Sequence, residues 1–152
     1  MKVLVIYDSQ SGNTEVMAKA IAEGASAHAD VEIKKVGEPF SLSTLADVDG
    51  VVFGSPVIYA DITNEMKDFM DHLKGYVNLG KIDVESKTAA IFGSYGYDGA
   101  LVMSELLQAR VKKIGFQLYD EELVLVDTDV KYNAADAKKK GNAFGKKFTD
   151  SL

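Results

Sequence analysis

Residues 8–14 read Asp8-Ser9-Gln10-Ser11-Gly12-Asn13-Thr14, a turn rich in hydroxyls, containing a glycine and holding no cation. Ser9, Ser11 and Thr14 supply three hydroxyl donors and Asn13 an amide, while Gly12 lets the backbone approach closely or take φ > 0. The chemistry such a set performs is capture of an anion, above all a phosphate. No Lys or Arg lies between residues 3 and 18, so neutral dipoles would hold the anion. That separates the turn from a Walker loop, where G-x-x-x-x-G-K-[ST] brings a lysine to the phosphates. N-capping of a helix would choose the same residue types, so the turn alone does not decide the matter.

The elements around it do. Val3-Leu4-Val5-Ile6-Tyr7 is an unbroken apolar run, as expected of a parallel strand covered on both faces. A helix follows from Asn13 and Thr14, with Met17, Ala20, Ile21 and Gly24 on one stripe. Its first-turn N–H groups and the positive end of its dipole point back into the turn. Residues 31–36 alternate as a more exposed strand, a short weak helix spans 42–46, and residues 50–55 form a second buried strand ended by Pro56. Ile62, Met66, Phe69, Met70 and Leu73 recur at helical spacing, and residues 88–93 form a fourth strand. Met103, Leu107, Val111 and Ile114 mark another helix, residues 123–126 a fifth strand, and Ala137, Gly141, Phe144 and Phe148 the last helix.

This βαβαβαβαβ order predicts an α/β fold: a doubly wound three-layer α/β/α sandwich on a five-stranded parallel sheet of order 2-1-3-4-5. Ligands of such sheets bind beyond the carboxyl ends of the strands, where the strand order reverses between strands 1 and 3. Three segments meet there. Beside the 8–14 turn, Ser55-Pro56-Val57-Ile58-Tyr59-Ala60-Asp61 is apolar and aromatic where an exposed loop is normally polar. Ser94-Tyr95-Gly96-Tyr97-Asp98-Gly99 sets two tyrosines among glycines that free the backbone to come near a ligand. One tyrosine on a loop is ordinary cover for a sheet edge; three beside a phosphate turn fit a ligand with a phosphate tail and a large flat ring.

Composition narrows the rest. With 152 residues, 47% hydrophobic, no repeat and only two prolines, residues 1–152 read as a single domain. There is no charged-then-apolar leader, no apolar run near the ~18 residues that span a bilayer, and no cysteine, which leads us to expect an unexported, cytoplasmic protein without membrane insertion. The only histidines, His28 and His72, lie far apart on predicted helices and read as exposed or satisfied, not as metal ligands. Residues 1–76 hold 6 Lys/Arg against 12 Asp/Glu, whereas residues 77–152 hold 11 of each. That excess of negative charge argues against nucleic acid or an anionic membrane and favours a positively charged partner protein.

The chain resembles the flavodoxin family over essentially its whole length. Its phosphate-loop pattern, [ST]-x-[ST]-G-x-T, is matched by Ser9, Ser11, Gly12 and Thr14, and no long insertion splits residues 117–126, which makes it similar to the short-chain type. Residues 54–59 and 92–97 are most similar to the flavodoxin-like domain of flavodiiron proteins and to related FMN-binding reductase domains. The resemblance implies FMN as cofactor, held by Ser9, Gln10, Ser11, Gly12, Asn13 and Thr14 at the phosphate, by Ser55, Pro56, Val57, Ile58 and Tyr59 on one side, and by Ser94, Tyr95, Gly96, Tyr97 and Gly99 on the other. Tyr97 occupies a position that commonly carries an aromatic lying against the isoalloxazine. The implied function is electron shuttling between redox partner proteins by a monomer, with Asp61, Glu65, Asp68 and Asp98 available to steer a basic docking face.

One departure bears on redox behaviour. Relatives that stabilise the neutral semiquinone usually carry a glycine in the loop after strand 3, where a peptide flips; residues 57–61 contain none. A non-glycine residue at φ > 0 costs on the order of 1 kcal/mol or more. The competing reading is an FMN-dependent NAD(P)H:quinone or flavin reductase using the same loops, although no residue set marks a nicotinamide or quinone site. A receiver domain of the same topology would need an Asp ending strand 3 and a Lys ending strand 5, where Ser55 and Asp127 stand. No G-x-G-x-x-G follows strand 1, which weakens a dinucleotide-binding reading.

Overall fold

The alternation of side chains along apolar strands, one to each face, builds two separate cores. The computed structural model describes all 152 residues. The elements are β1 (Lys2–Tyr7), α1 (Asn13–Ala25), β2 (Asp30–Lys35), a 3-10 turn (Leu42–Asp47), β3 (Gly50–Pro56), α2 (Asn64–Asn78), β4 (Thr88–Tyr95), α3 (Ala100–Ile114), β5 (Gln117–Val126), α4 (Asp127–Tyr132) and α5 (Ala134–Ser151). The five strands are all parallel, in the order β2-β1-β3-β4-β5.

Leu4, Ile6, Val51, Phe53, Ala89 and Ile91 face α2 and α3 in one core. Val3, Val5, Tyr7, Val52, Ala90 and Phe92 face α1 and α5 in the other. This explains why β1, β3 and β4 read as continuous hydrophobic runs: neither face meets water. The predicted helical stripes are the buried ones, with Met66, Met70 and Leu73 on α2 and Met103, Leu107, Val111 and Ile114 on α3. Helices α1 and α5 approach so closely that a Cβ on Gly145 would lie 2.0 Å from the Ile21 carbonyl oxygen.

The sequence reading differs from the structure at the edges of the sheet. Strand β2 is displaced by one residue, Asp30–Lys35 instead of 31–36. Strand β5 runs from Gln117 to Val126, not only over 123–126, because its acidic stretch Asp120-Glu121-Glu122 faces solvent on an open edge and hides the strand from a hydrophobic reading. Its register with β4 shifts between Ala89 and Ile91. A short helix, α4, also precedes the last one, the two being separated at Asn133.

Candidate functional site

The 8–14 turn leaves β1 at the carboxyl edge of the sheet, and the N–H of Asp8 still donates to the Gly54 carbonyl (3.0 Å). Gly12 stands in the left-handed region at φ 96° and caps α1. The Ser9 hydroxyl oxygen accepts from the N–H groups of Gly12 (3.2 Å) and Glu15 (3.3 Å), which locks the turn. The N–H groups of Gln10, Ser11, Asn13 and Thr14 have no partner in the protein, and they are the donors an anion would meet.

The hydroxyls are less free than their types predict. Thr14 is buried and shares a 2.8 Å hydrogen bond with Ser94, tying the first turn of α1 to the end of β4. Ser9 spends its oxygen lone pairs within the turn but keeps its O–H free to donate, as does the exposed Ser11. Beneath the turn the Tyr7 phenol donates to Glu15 (2.6 Å). Burial and that carboxylate push the Tyr7 phenol up, while the same hydrogen bond, helped by Lys19 and Lys35, holds Glu15 below the usual carboxylate range.

A buried network joins this turn to the loop after β3. Asp8 accepts from the Thr63 hydroxyl (2.6 Å) and from the Ser9 N–H (2.9 Å). Thr63 in turn caps α2 by accepting from the Met66 N–H (3.2 Å), and its own N–H donates to Ser55 (3.1 Å). Ser55 is fully buried and gives its hydroxyl proton to the Pro56 carbonyl (2.9 Å), so its side chain braces the loop. Sequence reasoning missed Thr63. The signal lay in Thr63-Asn64-Glu65-Met66, a capping threonine just ahead of an apolar helical stripe.

The second loop folds back on itself. Ile58 and Asp61 exchange backbone hydrogen bonds of 2.8 and 3.0 Å around Tyr59 (φ 48°) and Ala60 (φ 63°). Positive φ at both central residues is the mark of a type I′ turn, ordinarily made with Asn-Gly or Gly-Gly. The glycine-free loop therefore holds two non-glycine residues in the left-handed region already. Asp61 clamps the turn through the Ile62 N–H (2.7 Å) and Lys67 (2.9 Å). Burial alone would raise the Asp61 carboxyl, but Lys67, the Ile62 N–H and Arg110 outweigh it and hold it below the usual range.

The third loop lies against the second. The Val57 N–H donates to the Ser94 carbonyl (2.8 Å), and a Cβ on Gly99 (φ 81°) would stand 2.8 Å from Ala60 Cα. Tyr59 is 100% exposed and Tyr97 98%, so two entire rings stand in solvent on adjoining loops, with Tyr95 half-buried beside Gly96. Gln10, Ile58, Tyr59, Asp61, Glu65 and Lys67 line a groove of about 320 Å³ along the side of these loops.

A further residue was missed. Asp127, first in α4, carries a buried oxygen, Oδ1, with no hydrogen-bond partner, the one such side-chain atom in the molecule. Its other oxygen lies 3.9 Å from where a Cβ on Gly96 would be, so the carboxylate sits under the third loop. A buried acceptor without a donor is costly unless something supplies one. The site thus offers free N–H groups for a phosphate, an acceptor suited to hydroxyl or N–H groups, and exposed aromatic faces for a ring. FMN has all three parts, and the residues present fit it.

The chain matches the family described as flavodoxin over residues 5–141. A flavodoxin of Clostridium saccharobutylicum is 33% identical over 90 residues, which is 59% of this chain and a little over half, 56%, of that relative. The oxidised flavodoxin 1 of Bacillus cereus superposes with a TM-score of 0.82 at 27% identity, covering 100% of this chain and 99% of the other. The flavodiiron core of a Synechocystis shares the fold, with a TM-score of 0.78 at 19% identity, covering 99% of this chain and 36% of that one. FMN is the cofactor of flavodoxins, and redox partner proteins are what flavodoxins serve. A match running from the first strand into the last helix shows that this chain belongs to the flavodoxin family.

Proposed function

We propose that this protein is an FMN-dependent electron carrier that shuttles low-potential electrons between redox partners, with residues 1–152 acting as one flavodoxin-like domain. The observation that carries this reading is the full exposure of Tyr59 and Tyr97 on short adjoining loops. Such loops present a ring edge at the surface, where a partner can reach it.

Bound FMN would supply the electron-transfer chemistry; the protein's part is to hold it, exclude water from its faces and set its potential. Residues 9–14 would take the phosphate through backbone dipoles, Pro56, Val57, Ile58 and Tyr59 would cover one face, and Tyr95, Gly96, Tyr97 and Gly99 the other. Ser55, Ser94 and Thr14 would brace these loops from below. Apolar and aromatic faces with no unpaired cation on the loops disfavour added negative charge on the ring, which lowers the potential. Glu65, Asp68 and Asp98 are exposed carboxylates outside any ion pair, suited to a basic docking face, whereas Asp61 is neutralised by Lys67. A monomer working in the cytoplasm accords with this role.

FMN added to flavin-free protein should lose its fluorescence and bind at one equivalent; no quenching would overturn the proposal. Steady-state NAD(P)H oxidation by the FMN-loaded protein alone should be negligible, and a catalytically meaningful rate would favour the reductase reading. Partner reduction should slow steeply as salt rises.

A further inference from the structure

The lower halves of α2 and α3 enclose a groove of about 340 Å³, away from the loops just described. Its floor is apolar: Met70 and Ile114 belong to the core beneath, while Leu106 and Ala109 stand exposed above it. Its walls are cationic. Lys74 reaches in from α2, Arg110 and Lys113 from α3, against a single carboxylate, Asp71. Asp71 meets Arg110 through one contact of 3.2 Å and is itself 67% exposed, so it neutralises the groove only in part. Neither Lys74 nor Lys113 takes part in any ion pair.

In a chain of net charge −6, a cleft with three cations to one anion is a local reversal of sign. Lysines at the end of α3 complement the helix dipole, which accounts for Lys112 and Lys113. That reason does not extend to Lys74 on the facing helix, or to the exposed Leu106 between them. We infer that this groove is a second ligand site, taking a small amphipathic anion: a carboxylate, sulfonate or phosphate carried on an apolar or aromatic body. The volume lies at the lower end of ligand pockets, enough for a bicyclic ring and too little for a dinucleotide.

The groove is separate from the 8–14 turn. Met70 lies six residues into α2 and Leu106 six into α3, about 9 Å down each helix from the carboxyl edge of the sheet. A ligand in the groove neither touches the phosphate turn nor competes for it. It bridges α2 to α3, the two helices that carry the loops' downstream ends.

The test uses the FMN-loaded protein, labelled with ¹⁵N, and three probes: naphthalene-1-sulfonate, the neutral 1-naphthalenemethanol, and inorganic sulfate. The sulfonate should give saturable amide shifts at residues 70–74 and 106–114 and leave 9–14 unmoved. The neutral ring and sulfate should each bind at least about tenfold more weakly. The Lys74→Glu/Lys113→Glu variant, altering one half-buried and one exposed side chain, neither of them in an ion pair, should lose about tenfold in sulfonate affinity, near 1.4 kcal/mol. Absence of saturable shifts at the groove, equal affinity in the variant, or shifts confined to the cofactor loops would overturn the inference, whatever the outcome of the FMN titration.

Discussion

Asp8 and Thr63, 55 residues apart, share a buried 2.6 Å hydrogen bond that fastens the 8–14 turn to the start of α2. Thr63 does two jobs with one oxygen, donating to Asp8 and capping the Met66 N–H. Thr63→Ala removes a cap, about 1 kcal/mol, and leaves a buried carboxylate oxygen unpaired, a further 1–3 kcal/mol or so. Urea denaturation should therefore show a loss of about 2–4 kcal/mol, with Thr63→Ser restoring most of it. A loss no larger than an ordinary cap would mean that Asp8 finds water instead.

Gly12 holds φ 96°, and a Cβ there would project into open space. Gly12→Val strains the backbone and obstructs that space, leaving the ring loops intact. FMN affinity should fall by at least about tenfold while riboflavin, which lacks the phosphate, loses little. Equal losses for both flavins would show that the phosphate binds elsewhere.

The contact of Gly99 with Ala60 couples the two ring loops. Gly99→Ala places a methyl group at φ 81° and 2.8 Å from Ala60 Cα, so it should cost about 1–3 kcal/mol in stability and weaken flavin binding. Ala60→Gly relieves one of the two left-handed residues and should stabilise the turn by up to about 1 kcal/mol. Combined, the changes should be less damaging than their sum, because the glycine also withdraws the Cβ that stands 2.9 Å from the new methyl. Strict additivity would separate the loops energetically.

Asp127 should show opposite signs for stability and binding. Its Oδ1 has no partner in the protein, so Asp127→Ala should leave the flavin-free protein as stable or up to about 1–2 kcal/mol more stable. The same change should weaken FMN. If stability and affinity fall together, the carboxylate is structural.

Asp61 titrates below its ordinary value of 3.8 because Lys67 and the Ile62 N–H favour its charged form. A depressed folded pKa contributes stability that is present above the unfolded value and is lost as pH falls through the folded one. Denaturant midpoints should thus drop on acidification below about pH 3.8, and Asp61→Asn should flatten the profile in that window. An unchanged acid profile would exclude the Asp61–Lys67 pair as a contributor.

Local pattern determined a great deal: unbroken apolar runs at 3–7, 50–55 and 88–93, helical stripes between them, and a glycine turn at the mouth of the first helix specify the parallel 2-1-3-4-5 sheet. Such features depend on side-chain period and on unpaired N–H groups, which neighbours in sequence decide. The tertiary structure alone decided how each polar group is used. Thr14 meets Ser94, Asp8 meets Thr63, Ala60 meets Gly99, and Asp127 lies under Gly96, because parallel strands bring their carboxyl ends together across tens of residues. The turn of residues 9–14 therefore offers four unpartnered backbone N–H groups beside the hydroxyls its sequence advertises, one of which, on Thr14, is buried against Ser94.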